Sequence, residues 1–584
     1  MTTSARPTPA YGQHTQRAGS GSMAVVGAEA VETARRRLRL VALVVIAVCL
    51  FGIFAVDFLL GEGFAQPVPS SGNIFFRLYG LHEAPFLWLL AAFALGAWLM
   101  AGRPGVHAAR TRSIPGELAV SAIVAALAVF AVTLAGTFFV MHSTLLSMDE
   151  YAATFQAKIL AAGQVAAPIP EQWRQFAKAV TPPFITYRSL DQGWLSTYAP
   201  GYAAVRALFS TIGVEVIVNP LLAAVSVLSL AGASARLWPG DARRGRLAIL
   251  YLATSAQFLL MSMSGYSWAA HLCFNLLWLY LVLRDDRLGL AAAPWVGVLA
   301  LGLHNPFPHA LFAAPFLLRL LRTRRLGWIA YYGAVYGAGV LAWYRVMSYF
   351  HGQVGSGRAL EIFGVPTFQG YFVQGMNLSL LLTWQAPAMA FFLVAAFFLL
   401  RSMKQAERDL MAGLVLTFAF YFLFPQNQGH GWGYRYLYSV LGSGALLAAS
   451  ATVALAGPGG AAVRQLVAVS AAAALLVQLP LRSFQAERFV RPYAATLRYI
   501  ATRPVEVVVV DPGSAYYGRD LIRNDPLWRT TPVTINLSEL TQRDVEELVR
   551  RHPRRIHLLS VPEMQRLGLT TFTRAASGAP AKPR

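Results

Sequence analysis

Apolar runs of about twenty residues recur along most of this chain, joined by short loops, and a run of that length is what a helix needs to cross the hydrocarbon core of a bilayer. Only 13% of the residues are charged, well below the share usual in soluble domains, and 56% are hydrophobic. This pattern predicts a polytopic α-helical membrane protein with about thirteen transmembrane helices.

The formal net charge of +22, from 49 basic and 27 acidic residues, would by itself point to nucleic acid. Its placement points elsewhere. Basic clusters at 35–39, 103–112, 236–246, 284–287, 319–325 and 401–408 fall in short loops on one face of the expected topology. By the positive-inside rule that face is cytoplasmic, and the partner of the charge is the lipid bilayer and not nucleic acid. Cys49 and Cys273 both lie inside apolar runs and read as small core residues, neither a disulfide nor a metal site. Residues 1–34, rich in Thr, Ser, Gly, Ala and Pro, are expected to be disordered.

Two parts of the chain depart from the membrane pattern. From 481 onward, Val505–Val510 reads as a buried strand, 538–550 as a helix and 555–559 as a second strand, so a small C-terminal α/β domain is expected. Between the third and fourth apolar runs lies a polar loop, 142–213, opening with Ser147-Met148-Asp149-Glu150-Tyr151. Acids at the mouth of a span are expensive unless water, a partner or a substrate uses them. Ser147 with Glu150 has the spacing of a capping box, which accounts for Glu150 and leaves Asp149 as the freer carboxylate. The helix that follows carries an apolar stripe through Met148, Tyr151, Ala152, Phe155, Ile159 and Ala162, with Glu150, Thr154 and Lys158 opposite, as suits a helix lying at the membrane surface. Further along, Gln192–Tyr202 is aromatic and turn-rich; composition does not separate interfacial anchors from sugar-stacking rings, and for any single one of Trp194, Tyr198 and Tyr202 interface anchoring is the better reading.

The order of these features, Asp149-Glu150-Tyr151, a helix to Gly163, Tyr198-x-Pro200-Gly201, then Val218-Asn219-Pro220-Leu221-Leu222, resembles the GT-C superfamily of polytopic glycosyltransferases, in style closest to protein O-mannosyltransferases and aminoarabinose transferases. The resemblance spans 115–480. It implies transfer of a sugar from a polyprenyl-phosphate donor to a glycan, lipid or protein acceptor, on the outer face of the cytoplasmic membrane, with an acid of the first large outer loop at the reaction centre. That role falls on Asp149, with Glu150 beside it. In the family this loop usually follows the first span; here it follows the third, so 35–114 is expected to hold two additional N-terminal helices ahead of the core, and 481–584 to lie outside the cell.

A departing lipid phosphate needs cations or fixed donors. Arg435, in His430-Gly431-Trp432-Gly433-Tyr434-Arg435-Tyr436, sits where relatives often carry a Gly-x-Arg-Tyr-like element, and its guanidinium suits bidentate phosphate contact, although an arginine snorkelling to the interface would look the same. Tyr434, His430, Lys158, Arg188, Tyr198 and the turn residues His304 and His309 complete the expected donor and substrate contacts. Two imidazoles without a third ligand do not make a metal site, so no cofactor is called for and a divalent metal is left open. The rival reading is a polytopic transporter or lipid flippase.

Overall fold

The structure, a computed structural model, describes residues 18–60, 82–101, 116–187, 189–351, 368–423, 428, 431–456 and 460–571. The protein is mainly helical and multi-pass. Among the described residues five helices are long and apolar enough to cross a membrane: Glu32–Ala55, Glu117–Phe139, Glu215–Leu237, Arg435–Ala456 and Ala461–Ala501. Two bent pairs add to these, Ala242–Ala253 with Ala256–Met263 at 55° and Gln374–Thr383 with Pro387–Phe398 at 119°. Ala84–Met100, Trp268–Arg284 and Arg287–Leu301 are shorter apolar helices. Leu441–Ala456 runs through the centre, packed on Pro387–Phe398 and Ala242–Ala253.

The first helix spans Ala18–Leu60 and so begins inside the segment expected to be disordered. The Ala, Met, Val and Glu between Ser22 and Arg35 are adequate helix formers, and that propensity outweighs the polar composition of 1–34 taken as a block. This helix packs along Ala84–Met100, where Leu38, Val41, Val45, Cys49 and Ile53 repeat at three- and four-residue spacing and meet Leu87, Ala91, Ala94 and Ala97. Small alanines let the two backbones approach closely. Both cysteines are free and buried.

At the 119° bend a helix stops at Thr383 and another starts at Pro387, which frees backbone carbonyls in an apolar setting. Such groups must find partners inside the protein. Gln478 Nε2 donates to the carbonyls of Thr383, at 2.5 Å, and Gln385, at 2.9 Å, while the Gln257 backbone N–H donates to that of Trp384 at 3.2 Å. Beside the bend Arg482 donates through both terminal nitrogens to Glu83, at 2.8 and 2.7 Å, and its guanidinium lies between the rings of Phe86 and Trp384. Glu83 also accepts from the Thr383 hydroxyl and from Trp384 Nε1. The ion pair thus ties the second N-terminal helix to the bend and to Leu479–Ala501.

That last helix corrects the expected boundary at 481. It continues from Ala461–Ala473 through a π-helical turn to Ala501, because Ala486, Val490, Tyr493, Ala494 and Ile500 keep an apolar face past the point where hydropathy falls. Two small sheets follow from the non-membrane segments. Strands β1 (Ile185–Tyr187) and β2 (Trp194–Ser196) form an antiparallel pair within 142–213. Strands β3 (Val507–Val510), β4 (Val533–Asn536) and β5 (Ile556–Leu559) form a parallel sheet in the order β4-β3-β5, accompanied by the helix Gln542–Arg551. β3, β5 and the helix match expectation within a few residues; β4 was not anticipated.

The two sheets do not stand apart. Ala152, Phe155, Ile159, Trp173 and Trp194 share one apolar core with Val507, Val509, Val533, Ile535 and Leu548. Trp528 is stacked between Trp173 and Trp194, at centroid distances of 6.0 and 4.6 Å. Arg523 donates to the carbonyls of Leu145 and Leu146, and Tyr151 donates its hydroxyl to the Asn524 carbonyl at 2.6 Å. The helix Met148–Ala161 is therefore covered on both sides. The polar face expected at a membrane surface is buried at Glu150 and Thr154, and of the three residues assigned to it only Lys158 is well exposed.

Candidate functional site

The site grows from the first turn of Met148–Ala161. Ser147, in extended backbone, caps that helix: its hydroxyl accepts the Glu150 N–H at 3.3 Å, and Glu150 Oε1 accepts the Ser147 N–H at 3.2 Å. Glu150 Oε2 accepts the Gly265 N–H at 2.7 Å. A Cβ at Gly265 would lie 2.5 Å from Leu145 Cδ2 and 3.2 Å from Glu150 Oε2, so a larger residue would push the Leu145 side chain aside and crowd this approach. Glu150, with 0% exposure, is thus engaged through both oxygens in holding backbone. Glu150→Ala leaves two buried N–H groups unpaired at about 1–3 kcal/mol each. The expected result is a lowered unfolding temperature for the purified protein.

Asp149, the next residue back, points the other way. One carboxylate oxygen accepts the Tyr198 hydroxyl and the other accepts Arg435 NH1 at 2.7 Å. The side chains of Asp149 and Arg435 are 17% and 12% exposed, so the pair is mostly shielded from water but not sealed. Burial opposes the charge on Asp149, but Arg435 and the Tyr198 hydroxyl, with His304 behind them, hold its carboxyl below the ordinary 3.8. Burial, then the Asp149 charge and hydrogen bond, push the Tyr198 phenol well above its usual range, so it is a neutral donor.

Tyr198 is brought here by the turn before Gly201–Ser210. The N–H groups of Gly201 and Tyr202 donate to the carbonyls of Gly302 and Leu303, at 2.9 and 3.0 Å, and a Cβ on Gly201 would fall 2.4 Å from the Gly302 oxygen. This contact sets the Tyr198 ring on His304, with centroids 4.1 Å apart. His304 lies in the turn between Arg287–Leu301 and Phe307–Arg322. Burial drives its imidazole down, Asp149 pulls it up and Arg435 pushes it down again, leaving it at about 4. At neutral pH it is an uncharged donor and acceptor, not a phosphate counter-charge.

Asp149, Gln156, Ser196, Tyr198, Ser267 and His304 line a cleft whose empty space, part of it open to solvent, is about 270 Å³. Arg435 is not in that lining; it stands behind Asp149, with its guanidinium carbon 5.3 Å from the ring centre of Tyr266 and 5.7 Å from that of Tyr436. Its backbone is fixed from two sides. Its own N–H donates to Gln428 Oε1 at 2.9 Å, and the preceding carbonyl, of Tyr434, accepts from Gln257 Nε2 at 2.8 Å.

The other expected contacts separate. His309 is buried and fully used, Nδ1 with Asn275 Oδ1 and Nε2 with the Tyr336 hydroxyl, both at 2.8 Å; it belongs to the helix packing. Tyr434 is buried, with its hydroxyl directed to Gln374 Oε1 at 3.3 Å and away from the cleft lining. Lys158 pairs with Asp525 at 3.1 Å across to the C-terminal segment. Arg206, another basic residue of the loop, is held by Glu215 and Tyr202. Arg188 and His430 lie outside the described residues. Sequence reasoning passed over Tyr266 and Ser267; the signal was there in Ser264-Gly265-Tyr266-Ser267, a polar interruption too short to connect two spans. Among the described residues no group of three His, Cys, Asp or Glu is placed to hold a metal.

No family model matches this chain, and no curated protein does. Solved structures of ArnT from Cupriavidus metallidurans are similar at 14% identity. One, bound to undecaprenyl phosphate, aligns over 76% of this chain and 90% of its own with a TM-score of 0.48. Another, in the apo state, aligns over 75% and 89% with a TM-score of 0.47.

Proposed function

We propose that this chain is a GT-C-type membrane glycosyltransferase that moves a sugar from a polyprenyl-phosphate donor to a glycan, lipid or protein acceptor on the outer face of the cytoplasmic membrane. The observation that supports this most is the meeting of Asp149 and Arg435, residues 286 apart in the chain, at one wall of a cleft furnished with Tyr198 and His304. In the reaction the acceptor hydroxyl oxygen bonds to the anomeric carbon as the bond from that carbon to the phosphate oxygen breaks. The electron pair leaves with the phosphate, and the hydroxyl proton passes to the Asp149 carboxylate as general base. Arg435 takes the phosphate charge. No general acid is required, because the leaving group is already a stable anion. Rings such as Tyr198 offer a face to a sugar, and Ser196 and Ser267 offer hydroxyls.

The proposed topology has about thirteen spans, two of them ahead of the core, with the N-terminus in the cytoplasm and both 142–213 and 481–584 outside. Mass spectrometry of envelope glycans and lipid-linked sugars from a deletion strain tests the reading: a lipid-linked sugar accumulates and one glycan, lipid or protein loses it. The two bent helix pairs also suit a transporter, where broken helices line a path through the membrane. If the deletion instead changes flux of an unmodified solute or lipid, with no missing sugar, the transporter reading replaces this one.

Because Asp149 lies below the ordinary carboxylate value, it is ionised through the neutral range. Its titration leaves transfer level from pH 8 to about 5 and reduces it only as the pH falls through the lowered value. A rate–pH profile on purified protein checks this; an acid limb near pH 6 assigned to Asp149 contradicts it.

A further inference from the structure

The base and the phosphate ligand of the proposed reaction are hydrogen-bonded to each other, which gives Asp149 a second role that rests on that reading. Asp149 lines the cleft and one of its carboxylate oxygens accepts Arg435 NH1, so the carboxylate already occupies the guanidinium that a phosphate in the cleft would need. Arg435 NH1 is occupied by Asp149 at 2.7 Å, and its Nε is buried with no hydrogen-bond partner among the described residues. Tyr266 and Tyr436 flank the guanidinium independently of Asp149 and can hold it in place when its partner changes. Asp149 in turn keeps the Tyr198 hydroxyl when Arg435 is taken away.

We infer that Asp149 is a charge latch on Arg435 that determines which lipids the site accepts: the carboxylate competes with the carrier phosphate for the same guanidinium, and only a ligand anionic enough to displace it engages the site. The exchange frees one oxygen of Asp149 at the moment the donor arrives, so the base becomes available only with donor present. A neutral polyprenol has nothing with which to displace a carboxylate. After transfer the carrier is a phosphomonoester, with a second ionisation near pH 6 and therefore more charge than the sugar-bearing diester. It would hold Arg435 more tightly than the donor did, and the returning carboxylate is the group that expels it.

The test uses the full chain in detergent, with undecaprenyl phosphate as probe and undecaprenol as neutral control, read by native mass spectrometry. A latch closed about nine-tenths of the time lowers apparent affinity about tenfold. Asp149→Asn and Asp149→Ala are therefore expected to bind undecaprenyl phosphate about tenfold more tightly than wild type, with undecaprenol unchanged. Asp191→Asn removes the same charge from an exposed position, where Asp191 pairs with Arg174. It is expected to change affinity less than about twofold, which separates the latch from a general change in field. Unchanged or weaker binding in both Asp149 variants overturns the latch, and so does an equal gain in Asp191→Asn. Arg435→Gln should lose the phosphate lipid. If it binds as wild type does, Arg435 is not the phosphate ligand and the reading beneath the latch fails, whereas loss in Arg435→Gln without a gain in the Asp149 variants sinks the latch alone.

Discussion

Asp149→Asn is expected to reduce transfer by about a hundred- to ten-thousand-fold, the usual contribution of a positioned general base. The substitution is nearly isosteric, and the amide oxygen can still accept the Tyr198 hydroxyl, so the turn at 198–201 keeps its anchor. What goes is the basic oxygen facing the cleft and the ion pair to Arg435. The capping of Met148–Ala161 depends on Ser147 and Glu150 and not on this side chain, so the helix should keep its place, with the unfolding temperature lowered only by the loss of the carboxylate opposite the mostly shielded Arg435. Measured turnover within a few-fold of wild type, in protein that is folded and inserted, would remove Asp149 from the chemistry and leave its pair with Arg435 as a structural contact.

Glu83→Ala has the largest expected effect on stability. Arg482 is fully buried and Glu83 nearly so, and deleting one member of such a pair leaves an uncompensated charge in a medium that cannot solvate it, at about 3–5 kcal/mol. The loss should appear as a steep drop in unfolding temperature in detergent and in the yield of monodisperse protein. Replacing both members by apolar residues, Glu83→Leu with Arg482→Met, should recover part of the loss, since paired apolar substitutes are often neutral for buried ion pairs. Recovery should be incomplete because Trp384 Nε1 loses its acceptor and Thr383 loses one of two. Double and single variants falling equally would place the effect in packing at Phe86 and Trp384 and not in the charges.

What the sequence made legible divides along physical lines. Local features came through: the Ser147–Glu150 capping box is a three-residue spacing and appears as expected, which accounts for one of the two adjacent acids. Features made by distant partners did not. His309 could be read as a ligand only while Asn275 and Tyr336, on two other helices, were out of sight. Asp149 and Arg435 were each identifiable, but nothing in either segment says that they touch. Strand β4 escaped because Val533-Thr534-Ile535-Asn536 is four residues long, follows a proline, and is buried throughout, so its alternation of apolar and polar side chains marks no exposed face. The helical run from Ala461 to Ala501 outlasts the fall in hydropathy near 481, which marks only the end of its apolar surroundings.

The core shared by 142–213 and the β3–β5 segment carries a consequence for how the molecule is made. Trp194 and Val507 are more than three hundred residues apart, and at about 5–20 residues per second the ribosome takes on the order of tens of seconds to travel between them. During that interval Phe155, Trp173 and Trp194 have been synthesised but their apolar partners have not. The helices can insert one after another, and the residues that line the cleft, from Asp149 to His304, are all made long before Val507. What waits for the last eighth of synthesis is the brace behind Met148–Ala161: a chain stalled there would hold Asp149, Arg435 and every residue that lines the cleft, on a helix whose apolar far side still lacked β4 and the helix Gln542–Arg551.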